Sequence, residues 1–360
     1  MSNKLKPLII GDLEIKIPII QGGMGVRVST ASLASAVANY GGAGTIASAA
    51  LGYGTQENET DFVKASREGL QREIRQAKEW TQGAVGINIM VALSNYDDLI
   101  RTAVRERADF IVSGAGLPLR LPEFTEGASI KLIPIVSSAR AADIIIKGWK
   151  RRYNRLPDAI VVEGQLAGGH LGFKFEDLTS HNGNNLESLI VDVLKVVNEY
   201  EKDLNINMPV VAAGGIFDGK DVAKFLKLGV RGVQIATRFV ATFECSVADE
   251  FKELYLAAKE EDIVIIKSPV GMPGRAIMTE FVDRVLRGER IPIKCNYQCL
   301  KTCDPKTAPY CIAGALFNAV SGNLGNAVVF AGSNVSRVDR IVSVKELMDG
   351  IVSEAIEELD

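Results

Sequence analysis

Imidazole chemistry has only two positions to draw on in this chain, because His170 and His181 are its only histidines. No apolar run reaches the ~18 residues that a membrane-spanning helix needs. Basic residues are not in excess: 41 Lys and Arg face 44 Asp and Glu, for a net charge of −3 and a pI near 5.7. That balance leaves no basic field to hold nucleic acid or anionic lipid. Lys4-Leu5-Lys6-Pro7 is soon followed by Asp12 and Glu14, so no signal-peptide core is visible and a cytoplasmic protein is expected. Cysteine is sparse and odd in number: five, four of them bunched between Cys295 and Cys311. A disulfide framework is not expected from that pattern. Neither familiar nucleotide motif occurs. There is no Gly-x-x-x-x-Gly-Lys-Ser/Thr, and Gly52-x-Gly54 lacks the third glycine and helix start of a dinucleotide fingerprint.

What the chain has is an apolar share of 47% and a charged share of 24%, the balance of a soluble globular enzyme. Its 360 residues suffice for one large α/β barrel or two ordinary domains. Short Val- and Ile-rich runs alternate with helical patterns, as buried parallel strands and their helices do. The expected strands are residues 17–21, 43–48, 84–90, 110–114, 131–137, 159–163, 209–213 and 232–236. Helices are expected between them, with Ser29 or Thr30 capping the first, Glu59–Trp80 after the second strand and Asp218 capping the seventh. Eight alternations in about 250 residues predict a TIM (β/α)8 barrel, here residues 1–261, with Val247–Lys259 following the eighth strand. From Asp262 the rhythm changes. Pro269, Pro273, Pro292, the cysteines and a last helix from Val344 make residues 262–360 a C-terminal lobe laid over the barrel mouth.

A barrel of this kind builds its active site at the C-terminal ends of its strands. Several expected strands end there in small residues: Gly22-Gly23, Ser113-Gly114, Gly168-Gly169, Gly214-Gly215 and Ala236-Thr237. Glycine lets backbone approach a ligand closely. Free N–H groups after strands seven and eight would bind a phosphate without lysine. Each pair alone favours a simple tight turn, but their joint placement at both strand ends favours a phosphorylated ligand. His170 follows two glycines at the end of strand six. It is either a catalytic imidazole or a loop histidine with only a hydrogen-bonding task. Glu163 is a ligand-anchoring carboxylate or a solvated strand-end charge. Asn88 interrupts an apolar strand, so its amide needs a partner, either a cofactor or neighbouring backbone. His181 sits in a polar insertion and is expected at the surface. The Cys295-x-x-x-Cys299-x-x-x-Cys303 spacing, with Cys311 beyond, matches structural zinc poorly. An iron–sulfur site is conceivable, but reduced cysteines packed as small apolar residues are preferred, and no metal is expected.

Taken together, several motifs resemble the nitronate monooxygenase family, which shares its barrel with flavin-dependent enoyl-ACP reductases and some NADH:quinone reductases. They are Gln21-Gly22-Gly23-Met24-Gly25, Gly41-Gly42-Ala43-Gly44, Gly86-Ile87-Asn88, the Glu163–Gly172 stretch, Ala212-Ala213-Gly214-Gly215-Ile216, Gln234–Phe239 and Gly271-Met272-Pro273-Gly274-Arg275. The resemblance implies FMN, with Gly23, Met24 and Gly25 lining the isoalloxazine and Asn88 bonding near it. Gly168, Gly169, Gly214, Gly215, Ala236 and Thr237 would hold ribityl and phosphate. Gly22, Ser137, Glu163 and Gln234 complete the implied cofactor-binding set. His170 matches the family's catalytic histidine, which orients a nitronate or takes a substrate proton. The implied reaction turns an alkyl nitronate and O2 into a carbonyl compound and nitrite. Alternatives are an NAD(P)H-dependent FMN reductase of enoyl-ACP, enoyl thioesters or quinones, and a non-catalytic binder of a phosphorylated metabolite. A homodimer is what the resemblance suggests. One departure stands out: many relatives carry Glu-Ala-Gly-Gly-His, and Leu166 occupies the glutamate's place.

Overall fold

In a computed structural model, residues 5–55, 57, 60–179, 185–295 and 298–360 are described. His181 and the expected helix start at Glu59 lie outside the described residues. The chain opens with a hairpin, β1 (Leu8–Ile10) and β2 (Leu13–Ile15). The first four barrel strands are β3 (Ile19–Gln21), β4 (Gly44–Ala47), β5 (Val85–Met90) and β6 (Phe110–Gly114). β7 (Lys131–Val136) and β8 (Ile160–Glu163) follow, then the two-residue β9 (Gly169–His170), then β10 (Val210–Ala213) and β11 (Gly232–Ile235). Eight of these form one parallel sheet in the order β3-β11-β10-β8-β7-β6-β5-β4. The ring closes where Gln21 N donates to Ala43 O (2.8 Å) and Ala43 N to Ile19 O (2.9 Å).

The alternation along each strand explains the unbroken Val and Ile runs. Val161, Val211, Ile133, Val112 and Phe110 fill the barrel interior, while Ile160, Val162, Val210 and Ile111 lie under the helices. Both faces are covered, so neither needs a polar residue. A side chain at Gly86 would overlap the Phe110 ring, so that glycine leaves Phe110 its place in the interior layer. The hairpin plugs the N-terminal end with Leu8, Ile10 and Ile15, all buried. Its strands have three residues each, too short to show a period in the sequence.

The expected cap at Asp218 forms, its carboxylate accepting from Asp221 N at 3.0 Å. The expected first cap does not. Thr30 is in the N-cap position of helix Ala31–Tyr40 but makes no capping bond; Glu73 Oε2 accepts from Ala31 N instead (2.7 Å). Ser29 is committed elsewhere, accepting from Gln21 Nε2 at 2.8 Å and Met24 N at 2.9 Å.

The last helix of the ring is a second difference. Asp249–Ala257 does follow the eighth strand, but it packs on the 3-10 turn Ser333–Arg337. The ring position is filled by Val344–Leu359, which lies along Gly219–Lys227 and Ala31–Tyr40. The approach is close: a Cβ on Gly219 would overlap Ile351 O and Ala355 N, and Gly219 N donates to Glu354 Oε2 at 2.9 Å. The chain leaves the barrel at Ala241 and returns at Val342, where the two segments pair side by side. Val342 N donates to Ala241 O (3.2 Å) and Phe243 N to Val342 O (3.0 Å). The expected boundary at 261/262 therefore falls inside this excursion, and the final helix belongs to the ring. Within the excursion, β12 (Ile263–Lys267), β13 (Pro273–Ile277) and β14 (Val329–Phe330) form an antiparallel sheet. β9 joins it through β13, with His170 opposite Gly274. One short strand thus ties the end of barrel strand β8 to the lobe.

Candidate active site

A cavity of about 230 Å3 occupies the C-terminal mouth of the barrel. Its floor is the top layer of inward-facing strand residues, and the polar members of that layer are Asn88, Glu163 and Gln234. Its roof comes from the lobe: Tyr255, Leu316, Phe330, Gly332 and Asn334. Every sequence-predicted site residue lines it except Ser137. His170, Gly22, Gly23, Met24, Gly25, Asn88, Glu163, Gly168, Gly169, Gly214, Gly215, Gln234, Ala236 and Thr237 all face the same space. Ser137 lies to one side, under Gly172, where an added Cβ would stand 2.6 Å from its hydroxyl oxygen.

The glycines are there for space and backbone conformation. A Cβ on Gly23 would overlap that of Asn88, and one on Gly168 would stand 2.5 Å from the Ala331 carbonyl carbon. Gly214 (φ 90°) and Gly215 (φ 85°) are both left-handed, which residues with a Cβ rarely adopt. Among the described residues, the backbone N–H groups of Gly215, Ala236 and Thr237 make no hydrogen bond. Three donors at the ends of β10 and β11 are thus available to an anion. The Met24 loop is set by Gln21, which is fully buried. Its Oε1 accepts from Thr45 N (3.0 Å), and its Nε2 donates to Ser29 Oγ and to Gly22 O.

Electrostatically the floor is unusual. The Glu163 carboxyl has no hydrogen-bond or ion-pair partner among the described residues, and burial pushes its pKa up to about 7. Gln234 Oε1 and Thr45 Oγ1 are buried without partners. Buried polar atoms are rarely left so in a folded protein; of the two, Gln234 lines the cavity, and its orphan oxygen fits a ligand that carries hydrogen-bonding groups. His170 is held from the lobe side. Its Nε2 is 2.8 Å from Ser268 Oγ, and its ring meets Phe330 edge-on at 4.9 Å. Burial lowers its pKa to about 4, so the imidazole is neutral at physiological pH. Arg275 clamps the preceding loop, donating from Nε to Ala167 O (3.1 Å) and from Nη2 to Gln165 O (2.6 Å). Leu166 is half-exposed in the cavity wall, and its carbonyl accepts from Ser333 N at 3.1 Å.

The four clustered cysteines are free thiols. Burial, and then the neighbouring thiols of Cys311, Cys295 and Cys303, push Cys299 up to about 12. Among the described residues no group of three or more His, Cys, Asp or Glu is arranged to hold a metal. Cys299 and Cys311 pack with Val26, Ala50 and Ala313. No described helix is long and apolar enough to cross a membrane.

A lobe over the barrel mouth was expected, but none of its residues was among the expected site residues. Ser268, Phe330, Gly332 and Asn334 lie in a tail without periodicity. Yet Gly332 N donates to Thr237 Oγ1 (2.9 Å) and Asn334 Nδ2 to Gly215 O (2.7 Å), latching the lobe onto the ends of β10 and β11.

Comparison with known proteins gives a consistent picture. A family model described as nitronate monooxygenase matches residues 6–354. A 5-hydroxy-7a-methyl-1-oxo-octahydro-1H-indene-4-carboxyl-CoA dehydrogenase of Rhodococcus jostii is 29% identical, over 96% of this chain and 94% of its own length. A probable nitronate monooxygenase of Staphylococcus saprophyticus is 26% identical, over 98% of this chain and 99% of its own. Among solved structures, FabK from Thermotoga maritima superposes with a TM-score of 0.73 at 28% identity, covering 94% of this chain and 93% of that one.

Proposed function

This chain belongs to the nitronate monooxygenase family, and we propose that it is an FMN-dependent enzyme oxidising alkyl nitronates with O2 to a carbonyl compound and nitrite. It is an enzyme of the oxidoreductase class, which removes the reading as a non-catalytic binder. The supporting observation is the donor and acceptor set of the cavity. Three free N–H groups stand at the phosphate position of the barrel, and the unpaired Gln234 Oε1 and Glu163 carboxyl stand at its floor. That set fits a phosphorylated ring system with polar edges. Gly215, Ala236 and Thr237 would take the phosphate through their backbone, and Gly23, Met24, Asn88 and Gln234 would border the ring. FMN, when bound, supplies the electron-accepting centre.

The chain's own residues supply placement and exclusion of water. Phe330 and Tyr255 cover the mouth, with Tyr255 Oη donating to Phe330 O at 2.5 Å. His170 presents its ring to the space beside the floor, where a nitronate oxygen would lie. Glu163, raised to about 7 by burial, is only partly ionised at neutral pH, so the floor carries less than a full negative charge. The excursion from the barrel acts as the lid of the site. A cytoplasmic enzyme working as a homodimer completes the proposal.

A second reading is favoured by Leu166. An apolar, half-exposed side chain in the cavity wall suits an uncharged acyl substrate, and the Rhodococcus relative is named as a dehydrogenase of a carboxyl-CoA. Here the enzyme would exchange electrons between NAD(P)H or NAD(P)+ and a thioester. An anaerobic titration separates the two. Wild-type protein with bound FMN is mixed in one sample with NAD(P)H and in another with an alkyl nitronate alone, and nitrite is measured in the second after admission of air. Nitrite release without NAD(P)H is expected; bleaching by NAD(P)H with no nitrite would replace the first reading by the second.

A further inference from the structure

Ser268 directly follows β12 of the lobe, is buried, and reaches across to His170. Its oxygen accepts from Val270 N at 3.3 Å. A serine hydroxyl has one hydrogen to give. Among the described residues that hydrogen has one acceptor within reach, the Nε2 of His170 at 2.8 Å. Were Nε2 itself protonated, the hydroxyl oxygen would accept from it, and the hydroxyl's own hydrogen would be left with no acceptor among the described residues. Burying a donor with its hydrogen bond unmade is strongly unfavourable. Nε2 is therefore the accepting nitrogen. A neutral imidazole with an accepting Nε2 carries its proton on Nδ1. No protein group among the described residues takes that N–H, and His170 lines the cavity.

We propose that Ser268 is a positioning residue that fixes His170 in the Nδ1–H tautomer, so that the histidine meets substrate as a neutral hydrogen-bond donor and not as a base. The ligand class follows: an oxygen that is anionic or becomes so, such as the nitronate oxygen or a thioester carbonyl. The placement of His170 beside substrate rests on the function proposed above; the tautomer does not. Phe330 strengthens the assignment, since its ring packs edge-on against the imidazole and leaves few orientations open. The backbone pairing of His170 with Gly274 holds the ring's base to the same lobe that supplies Ser268.

With only two histidines in the sequence, 15N NMR of the flavin-loaded, tag-free protein contains two imidazoles, and His181→Gln assigns them. The expected result is a His170 with an unprotonated, accepting Nε2 and a protonated Nδ1. In Ser268→Ala both tautomers appear, while Ser268→Thr keeps the single one. Turnover of the alanine variant falls by about tenfold, mostly in kcat, for a lost hydrogen bond near the reacting atoms. A protonated Nε2 in the wild type overturns the proposal, and so does an unchanged tautomer in Ser268→Ala. Should the alanine variant fail to fold, the wild-type spectrum alone decides. A protein that shows the predicted tautomer but releases no nitrite refutes the nitronate reading and leaves this one standing.

Discussion

Replacing Glu163 by glutamine removes an unpaired carboxyl from the floor of the cavity, and its effect on stability should depend on pH in a defined way. Burial raises that carboxyl from its ordinary 4.5 to about 7. In the unfolded chain the group ionises above about 4.5, while in the fold it stays protonated until near 7. Across that window the native state binds more protons, so wild-type stability falls as pH rises, at about 1.4 kcal/mol per pH unit. The whole window is worth about 3 kcal/mol. Glutamine does not titrate, so the variant should match the wild type to within a constant below pH 4.5. It should gain on it steadily to about 3 kcal/mol at neutrality and stay level above. His170 has the opposite sign. Its pKa is lowered to about 4, so its contribution is present above its ordinary 6.5 and lost as pH falls towards 4. That slope is common to both proteins and cancels in their difference. Urea denaturation of flavin-free protein at a series of pH values measures the difference directly. A gap between the two proteins that does not change from pH 4 to 8 would refute the buried-carboxyl argument.

Two further substitutions test the architecture. Gly23→Ala drives a methyl into Asn88; the expected outcome is loss of bound flavin, seen in the visible absorbance per protein, with a stability cost of about 1–3 kcal/mol. Gly219→Ala places a methyl against the backbone of Ile351 and Ala355, which cannot turn aside as a side chain would. The terminal helix should lift from the ring, lowering stability by about 2 kcal/mol or more; an unchanged thermal midpoint would mean that the two helices have room to spare.

The barrel was legible because buried parallel strands need apolar residues on both faces. All eight expected runs became strands, shifted by a residue or two at their ends. The floor and its glycines were legible for the same reason, since strand ends are where loops must turn and where a side chain would obstruct. Ser137 was misplaced because a strand end says nothing about which way the next residue points. Thr30 failed as a capping side chain because a distant glutamate, Glu73, reached the helix start first. The lobe was expected over the barrel mouth, but its strands and site residues were not legible. β9 and β14 have two residues each and depend on partners far away in sequence, and no periodicity announces a strand of two. Ser268 illustrates the loss: nothing in Lys267-Ser268-Pro269 marks a partner for a histidine nearly a hundred residues earlier.

The pairing of Thr242 with Val342 gives the lobe two ends that abut. To the barrel, everything between them is a loop of closed perimeter, entering and leaving at one point between the eighth strand and its helix. Such a loop can be lengthened, trimmed or exchanged without disturbing strand register, because the ring is sealed by Val344–Leu359 whatever lies in between. The floor supplied by the barrel strands and the roof supplied by the lobe are thus free to diverge at different rates. A family built on this plan can keep one redox centre and acquire new substrates by rewriting a single cassette.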